Sequence, residues 1–173
     1  QTMRFIITTI ITLLLTSTPL SAQNDQVERY FDYGMERMRE GNYAEAYCYL
    51  RPLADRGHEQ AQYTLGWMYH NGYGLRIDDA KAFEWWNRAA GSGNRDALFA
   101  LGLLYEQGLG TEEAPDKAAE MYIQAARKGS EDAVNLILSL VKEPSSALRP
   151  PLLAELSNDW TLLSDKAWII SSE

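Results

Sequence analysis

Apolar and polar residues alternate at helical spacing through the middle of the chain. Ala61, Leu65, Met68 and Tyr69 fall at i, i+4, i+7 and i+8, one apolar face of a helix over Glu59–Asn71. Asn71-Gly72-Tyr73-Gly74 breaks that pattern with turn residues. Asp78 or Asp79 can start a second helix, because a carboxylate accepts the free N–H groups of a first turn. Lys81, Ala82, Trp85, Trp86, Ala89 and Ala90 carry the stripe of that helix. Gly93 lies just past its end, where a left-handed cap suits glycine. The unit predicted by the pattern is a helical hairpin.

The hairpin is written twice, thirty-six residues apart. Ala61, Leu65, Gly66, Tyr69, Gly72, Gly74, Lys81, Ala82, Glu84, Ala89, Ala90, Gly93 and Asp96 recur as Ala97, Leu101, Gly102, Tyr105, Gly108, Gly110, Lys117, Ala118, Glu120, Ala125, Ala126, Gly129 and Asp132. Unrelated segments of ordinary composition would share about two positions. In the second copy Pro115 stands near the start of the second helix, where proline removes no needed hydrogen bond. The small residues Gly66, Ala82, Ala89 and Ala90 imply that two helices approach closely, while Leu65, Tyr69 and Trp86 are expected to fill the wider gaps between hairpins. A fixed period of this length predicts an all-α chain of stacked hairpins, an architecture that serves more often as a binding surface than as a catalyst.

The pattern A-x-x-x-L-G-x-x-Y-x-x-G-x-G followed by K-A-x-x-x-x-x-x-A-A-x-x-G resembles a Sel1-like repeat, a relative of the tetratricopeptide repeat. The resemblance covers residues 61–133. It implies a right-handed α-solenoid of helix-turn-helix repeats and an interaction scaffold without catalysis. Residues 59–94 and 95–130 are then two Sel1-like repeats. A looser copy precedes them over 23–58, where Gly34, Gly41, Asn42, Tyr43, Ala44 and Ala46 resemble a tetratricopeptide unit. A partial, capping copy follows over 131–143, in which Leu138 replaces the glycine of the other copies. From Pro144 the register fails, Pro150-Pro151 marks a boundary, and 144–173 is expected to be a cap or tail with a short helix near Leu152.

The N-terminus has the order of a sorting signal. Arg4 precedes an apolar run over residues 5–15, and Pro19-Leu20-Ser21-Ala22 supplies a break and a small residue. The run is short for a membrane span of ~20 residues. Residues 1–22 are therefore expected to be a signal peptide cleaved after Ala22, and an uncleaved anchor is the alternative. Together with the usual setting of the resembling proteins, this implies export to a bacterial, Gram-negative periplasm or beyond. The net charge of −8 disfavours nucleic acid and anionic membranes as partners.

Little in the chain suggests chemistry. Cys48 is the one cysteine, so an internal disulfide is excluded, and a buried packing role is expected for it between Tyr47 and Tyr49. His58 and His70, the two histidines, lack a ligand cluster, so no metal or other cofactor is expected. Ser139-Leu140-Val141-Lys142 matches S-x-x-K but lacks the S-D-N and K-T-G partners that make that motif catalytic. A cysteine-rich group of Sel1-like proteins is associated with penicillin binding. It carries a cysteine pair in each repeat, which a single Cys48 does not match. Binding of a cell-wall or β-lactam-like ligand, or weak hydrolase activity, is thus the second function class behind a protein-binding scaffold. In tetratricopeptide-type solenoids the first helix of each pair lines the concave face. Aligning the first helices stacks Phe31, Tyr63 and Phe99, and one turn further Met35, Trp67 and Leu103. These two apolar ladders are expected to hold an extended or helical peptide. An aromatic at the Tyr63 position also suits packing between neighbouring helices.

Overall fold

The structure, a computed structural model, describes residues 20–157, with side chains from residue 24. The described residues form eight helices and no strand: α1 (Leu20–Arg39), α2 (Tyr43–Asp55), α3 (Glu59–Asn71), α4 (Asp79–Gly91), α5 (Arg95–Gln107), α6 (Pro115–Arg127), α7 (Glu131–Lys142) and α8 (Arg149–Ser157). The chain divides into two compact units, Gln1–Tyr49 and Leu50–Glu173, with the boundary inside α2. The second unit is an α-solenoid of stacked helix-turn-helix repeats, as the periodicity predicts. Of the segment assigned to a sorting signal, residues 1–19 lie outside the described residues, and residues 20–22 form the start of α1.

One register position starts each first helix, with three different side chains. His58 Nδ1, Asn94 Oδ1 and Ser130 Oγ accept from the amides of Ala61, Ala97 and Ala133. Imidazole, amide and hydroxyl share only the ability to accept, which is what an N-cap requires. The turn inside each hairpin is equally regular. The Asp78 amide donates to the Tyr69 carbonyl at 3.0 Å, and the Ala114 amide donates to Tyr105 at 2.8 Å. Gly110 is needed here for space as well as for its φ of +67°, because a side chain would run into the Asp79 backbone of the neighbouring hairpin.

Asp78, rather than Asp79, caps α4, accepting from the Lys81 amide at 3.0 Å. That hydrogen bond, reinforced by the Lys81 ammonium, holds the Asp78 carboxyl below its ordinary value. The cap is therefore complete at neutral pH and weakens as acid protonates it. The equivalent residue of the next hairpin, Ala114, has the same extended backbone and no side-chain cap; Pro115 opens α6 directly after it. Ala114→Asp is expected to raise the stability by about 1 kcal/mol. Urea unfolding checks this, and an unchanged or lower midpoint would show that a carboxylate at position 114 does not reach the Lys117 amide.

The interior of each hairpin is set by one glycine and one ring. A Cβ on Gly66 would overlap the Trp86 indole, and one on Gly102 would overlap the Tyr122 ring. The close approach implied by the small residues is thus ring on backbone. Trp86 does not fill a gap between hairpins; it lies across Gly66 of its own hairpin, 2% exposed, with its N–H donating to the Tyr63 carbonyl at 3.0 Å. The recurring lysines have a matching role. Lys81 lies 5.3 Å from the Tyr69 ring centre, and Lys117 the same distance from Tyr105.

Between hairpins, Phe83 meets Tyr105 edge to face at 5.4 Å. Arg95 on α5 donates to the Gly129 carbonyl beyond α6 at 2.8 Å. Beyond the second hairpin, Leu148, Leu152 and Leu156 join the core formed by α6 and α7, and Arg149 donates to the Val141 carbonyl at 2.8 Å. Pro150 and Pro151 do not mark a boundary: both sit in the first turn of α8, where their missing N–H groups cost nothing. Trp160, Leu162, Leu163, Trp168, Ile169 and Ile170 of the expected cap lie outside the described residues. Cys48 is exposed, against the expected buried role. Ala46 and Leu50, two positions to either side, take the inward-facing places on α2.

Candidate functional site

In the second unit a cleft of about 180 Å³ opens between α3 and α5, the first helices of two successive hairpins. Helix α3 supplies Tyr63, Trp67 and His70, spaced three or four apart and so on one face. Helix α5 supplies Asp96, Phe99, Leu103 and Gln107 at the same spacing. Trp86 closes the floor, and Leu109 from the turn after α5 also lines it.

The arrangement follows from the repeat. Ala61, Leu65, Met68 and Tyr69 are committed to the core, so Tyr63 and Trp67 are turned to the other side of α3. Trp67 is 39% exposed. Its ring stands edge-on to Tyr63 at 6.4 Å and to Trp86 at 5.9 Å, with interplanar angles of 89° and 77°. The His70 ring is 5.5 Å from Trp86. The three rings and the His70 imidazole thus form one cluster along the cleft.

Polar groups at the rim are few. His70 Nδ1 lies 2.7 Å from an Asp79 carboxylate oxygen. The Asp96 carboxylate stands 3.7 Å from the Arg95 guanidinium, too far for a hydrogen bond. Burial pushes the Tyr63 hydroxyl above its ordinary value; the Trp67 side chain opposes this, and the charges of Asp96 and Asp132 add to it. In the second hairpin Tyr122 takes the place of Trp86 and donates through its hydroxyl to Glu106 at 2.6 Å. Burial, with Glu106 beside it, pushes that hydroxyl far above its ordinary value.

Of the residues singled out by the ladders, Tyr63, Trp67, Phe99 and Leu103 come together in this cleft. Phe31 and Met35 are half-buried on α1 of the first unit. Around them Tyr30 and Tyr33 are exposed and pack on Tyr49 at 6.3 and 5.5 Å. The ladders missed His70, Trp86 and Asp96. Trp86 was hidden by its place in the packing stripe of α4. The signal for Asp96 was its recurrence as Asp132 in the 36-residue register.

The cleft can bind and orient an apolar or aromatic-seeking group. No hydroxyl or thiol of serine, threonine or cysteine lines it, so the His70–Asp79 pair has no nucleophile to activate there. Ser139 of the S-x-x-K match is on exposed α7 surface, and its hydroxyl donates to the Leu136 carbonyl of its own helix at 2.7 Å. Among the described residues no His, Cys, Asp and Glu cluster could hold a metal ion. Nor is any helix among them long and apolar enough to cross a membrane.

Comparison with known proteins found the Sel1 repeat family at residues 59–94 and 95–130. Among solved structures, the chain is similar to a Sel1 repeat protein from Oxalobacter formigenes (27% identity, TM-score 0.61, 65% of this chain and 46% of that one). It is also similar to a protective antigen of uropathogenic Escherichia coli with an SLR fold (26% identity, TM-score 0.62, 70% of this chain and 27% of that one). Cysteine rich protein B of Helicobacter pylori shares the fold at 22% identity (TM-score 0.54, 64% of this chain and 94% of that one). The chain therefore spans less than half the length of the first two. No curated protein matches it.

Proposed function

We propose that this chain, a Sel1-repeat protein, is a non-catalytic scaffold of the bacterial cell envelope that holds a peptide or protein partner in the cleft between α3 and α5. The Sel1-repeat fold commonly serves as a scaffold for protein interactions. The observation that carries the reading to this cleft is Trp67. A large aromatic left 39% exposed beside an apolar cavity offers contact surface to a docked chain. Tyr63, Phe99 and Leu103 extend that surface along both helices. An extended or helical segment, with side chains entering at intervals, matches a cleft lined at helical spacing.

Export rests on the order of Arg4, the apolar run over residues 5–15 and Ala22. The second reading, a cell-wall ligand or weak hydrolysis, draws support only from the His70–Asp79 pair and finds no nucleophile beside it.

Photo-crosslinking in the producing cell tests the scaffold reading. A benzophenone side chain at Leu103 is expected to join the chain to a defined partner, while the same group at exposed Glu84 on α4 does not. Equal capture from both positions would place the working surface elsewhere. N-terminal sequencing of the recovered protein is expected to start at Gln23, and a start at Met3 in the cytosol would reject export.

A further inference from the structure

The cleft is lined by aromatic and aliphatic side chains, its one lining carboxylate is Asp96, and no lysine or arginine lines it. That combination narrows the chemistry of the occupant. A cation is attracted by the negative face of an aromatic ring, and a carboxylate at the mouth adds a directed charge. We propose that the cleft receives a cationic side chain, arginine foremost, from a basic segment of the partner, seated against the exposed Trp67 ring with its charge toward Asp96. The inference rests on the proposed role of the cleft and adds the chemistry of what enters it.

Three features support the assignment. First, Tyr63, Trp67 and Phe99 all line the cleft and Trp67 is 39% exposed, so aromatic surface is open to an entering group. Second, the Asp96 carboxylate is half exposed, and its nearest cation, Arg95, stands 3.7 Å away on a side chain that is itself 54% exposed. An incoming guanidinium can take a bidentate place that Arg95 does not fill. Third, the charges of Asp96 and Asp132 both reach the Tyr63 hydroxyl and help to hold it above its ordinary value. The net charge of −8 extends that sign over the whole chain and steers basic partners toward it. The one lining group able to carry positive charge, His70, faces the Asp79 carboxylate at 2.7 Å, which offsets it.

A flat guanidinium suits this site better than a compact ammonium, because it can stack on one ring while donating in its plane to a carboxylate. Asp96 disfavours a segment ending in a free carboxylate, because like charges would meet in a cleft that no lysine or arginine lines.

The test uses the full chain and three nine-residue glycine-serine peptides, identical except for a central arginine, norleucine or glutamate. The indole N–H signal of Trp67, assigned with Trp67→Phe, reports occupancy by NMR titration. The arginine peptide is expected to move that signal saturably and to bind about ten-fold more tightly than the norleucine peptide. Asp96→Asn should weaken the arginine peptide about three-fold, with an unchanged melting temperature, and added salt should act in the same direction. Equal or tighter binding of norleucine would overturn the cationic assignment and leave an apolar peptide groove standing. Tighter binding of glutamate, or no response to any of the three peptides at millimolar concentration, would also overturn it. Loss of the partner crosslink at Leu103, by contrast, would remove the scaffold reading itself.

Discussion

Gly102→Leu is expected to lower the stability by roughly 1–3 kcal/mol, the usual cost of forcing carbon into a filled interior. Two effects compete at this position. A glycine in mid-helix costs about 0.5–1 kcal/mol relative to alanine, so substitution in open space would stabilise α5. Here the space is taken: Tyr122 is fully buried, its ring lies where the new Cβ would go, and its hydroxyl is tied to Glu106 at 2.6 Å. The ring cannot swing away without breaking that hydrogen bond inside the hairpin. Gly102→Ala should therefore destabilise as well, against helix propensity. In a Tyr122→Leu background the same change should cost less, with a coupling of about 0.5–3 kcal/mol. Urea unfolding of the four proteins measures it. Additive effects, or a more stable Gly102→Ala, would show that the ring does not press on the glycine.

Two tryptophans of the first matched repeat should respond to very different extents. Trp86→Ala is expected to cost roughly 3–5 kcal/mol, because it removes a ring 2% exposed, opens a hole over Gly66 and leaves the Tyr63 carbonyl without its indole donor. Trp67→Ala, at 39% exposure, should cost about 1 kcal/mol or less. Thermal melts of the two variants side by side check the contrast. Similar losses would mean that Trp67 belongs to the core and that its exposure has no functional meaning.

Most of the second unit was legible in the sequence because a repeat tests itself. Each apolar position of α3 has a counterpart in α5, and each turn glycine a counterpart with positive φ. The pairing of Gly66 with Trp86, and of Gly102 with Tyr122, was not legible. The two partners lie 20 residues apart on different helices, and the 36-residue register says only that both recur. For the same reason Trp86 was read as a spacer between hairpins. Cys48 was misplaced for a different reason. Flanking tyrosines suggested an interior, yet on a helix neighbours in sequence point to different sides, and Ala46 and Leu50 hold the inward places. Pro150 and Pro151 read as a break because a proline pair ends one helix as readily as it begins another. The ladder of Tyr63, Trp67, Phe99 and Leu103 needed only helical spacing. The polar partners needed three dimensions, since Asp96 lines the cleft from α5 while Asp79 reaches His70 from α4.

The claim on which the rest depends is that the α3–α5 cleft is the surface that meets a partner. Its most direct test is the affinity of the Trp67→Ala chain for the partner captured at Leu103, measured beside its melting curve. A loss of ~2 kcal/mol or more in binding, about thirty-fold in affinity, with the fold nearly unchanged is the expected result. Unaltered affinity in a folded Trp67→Ala chain would contradict it.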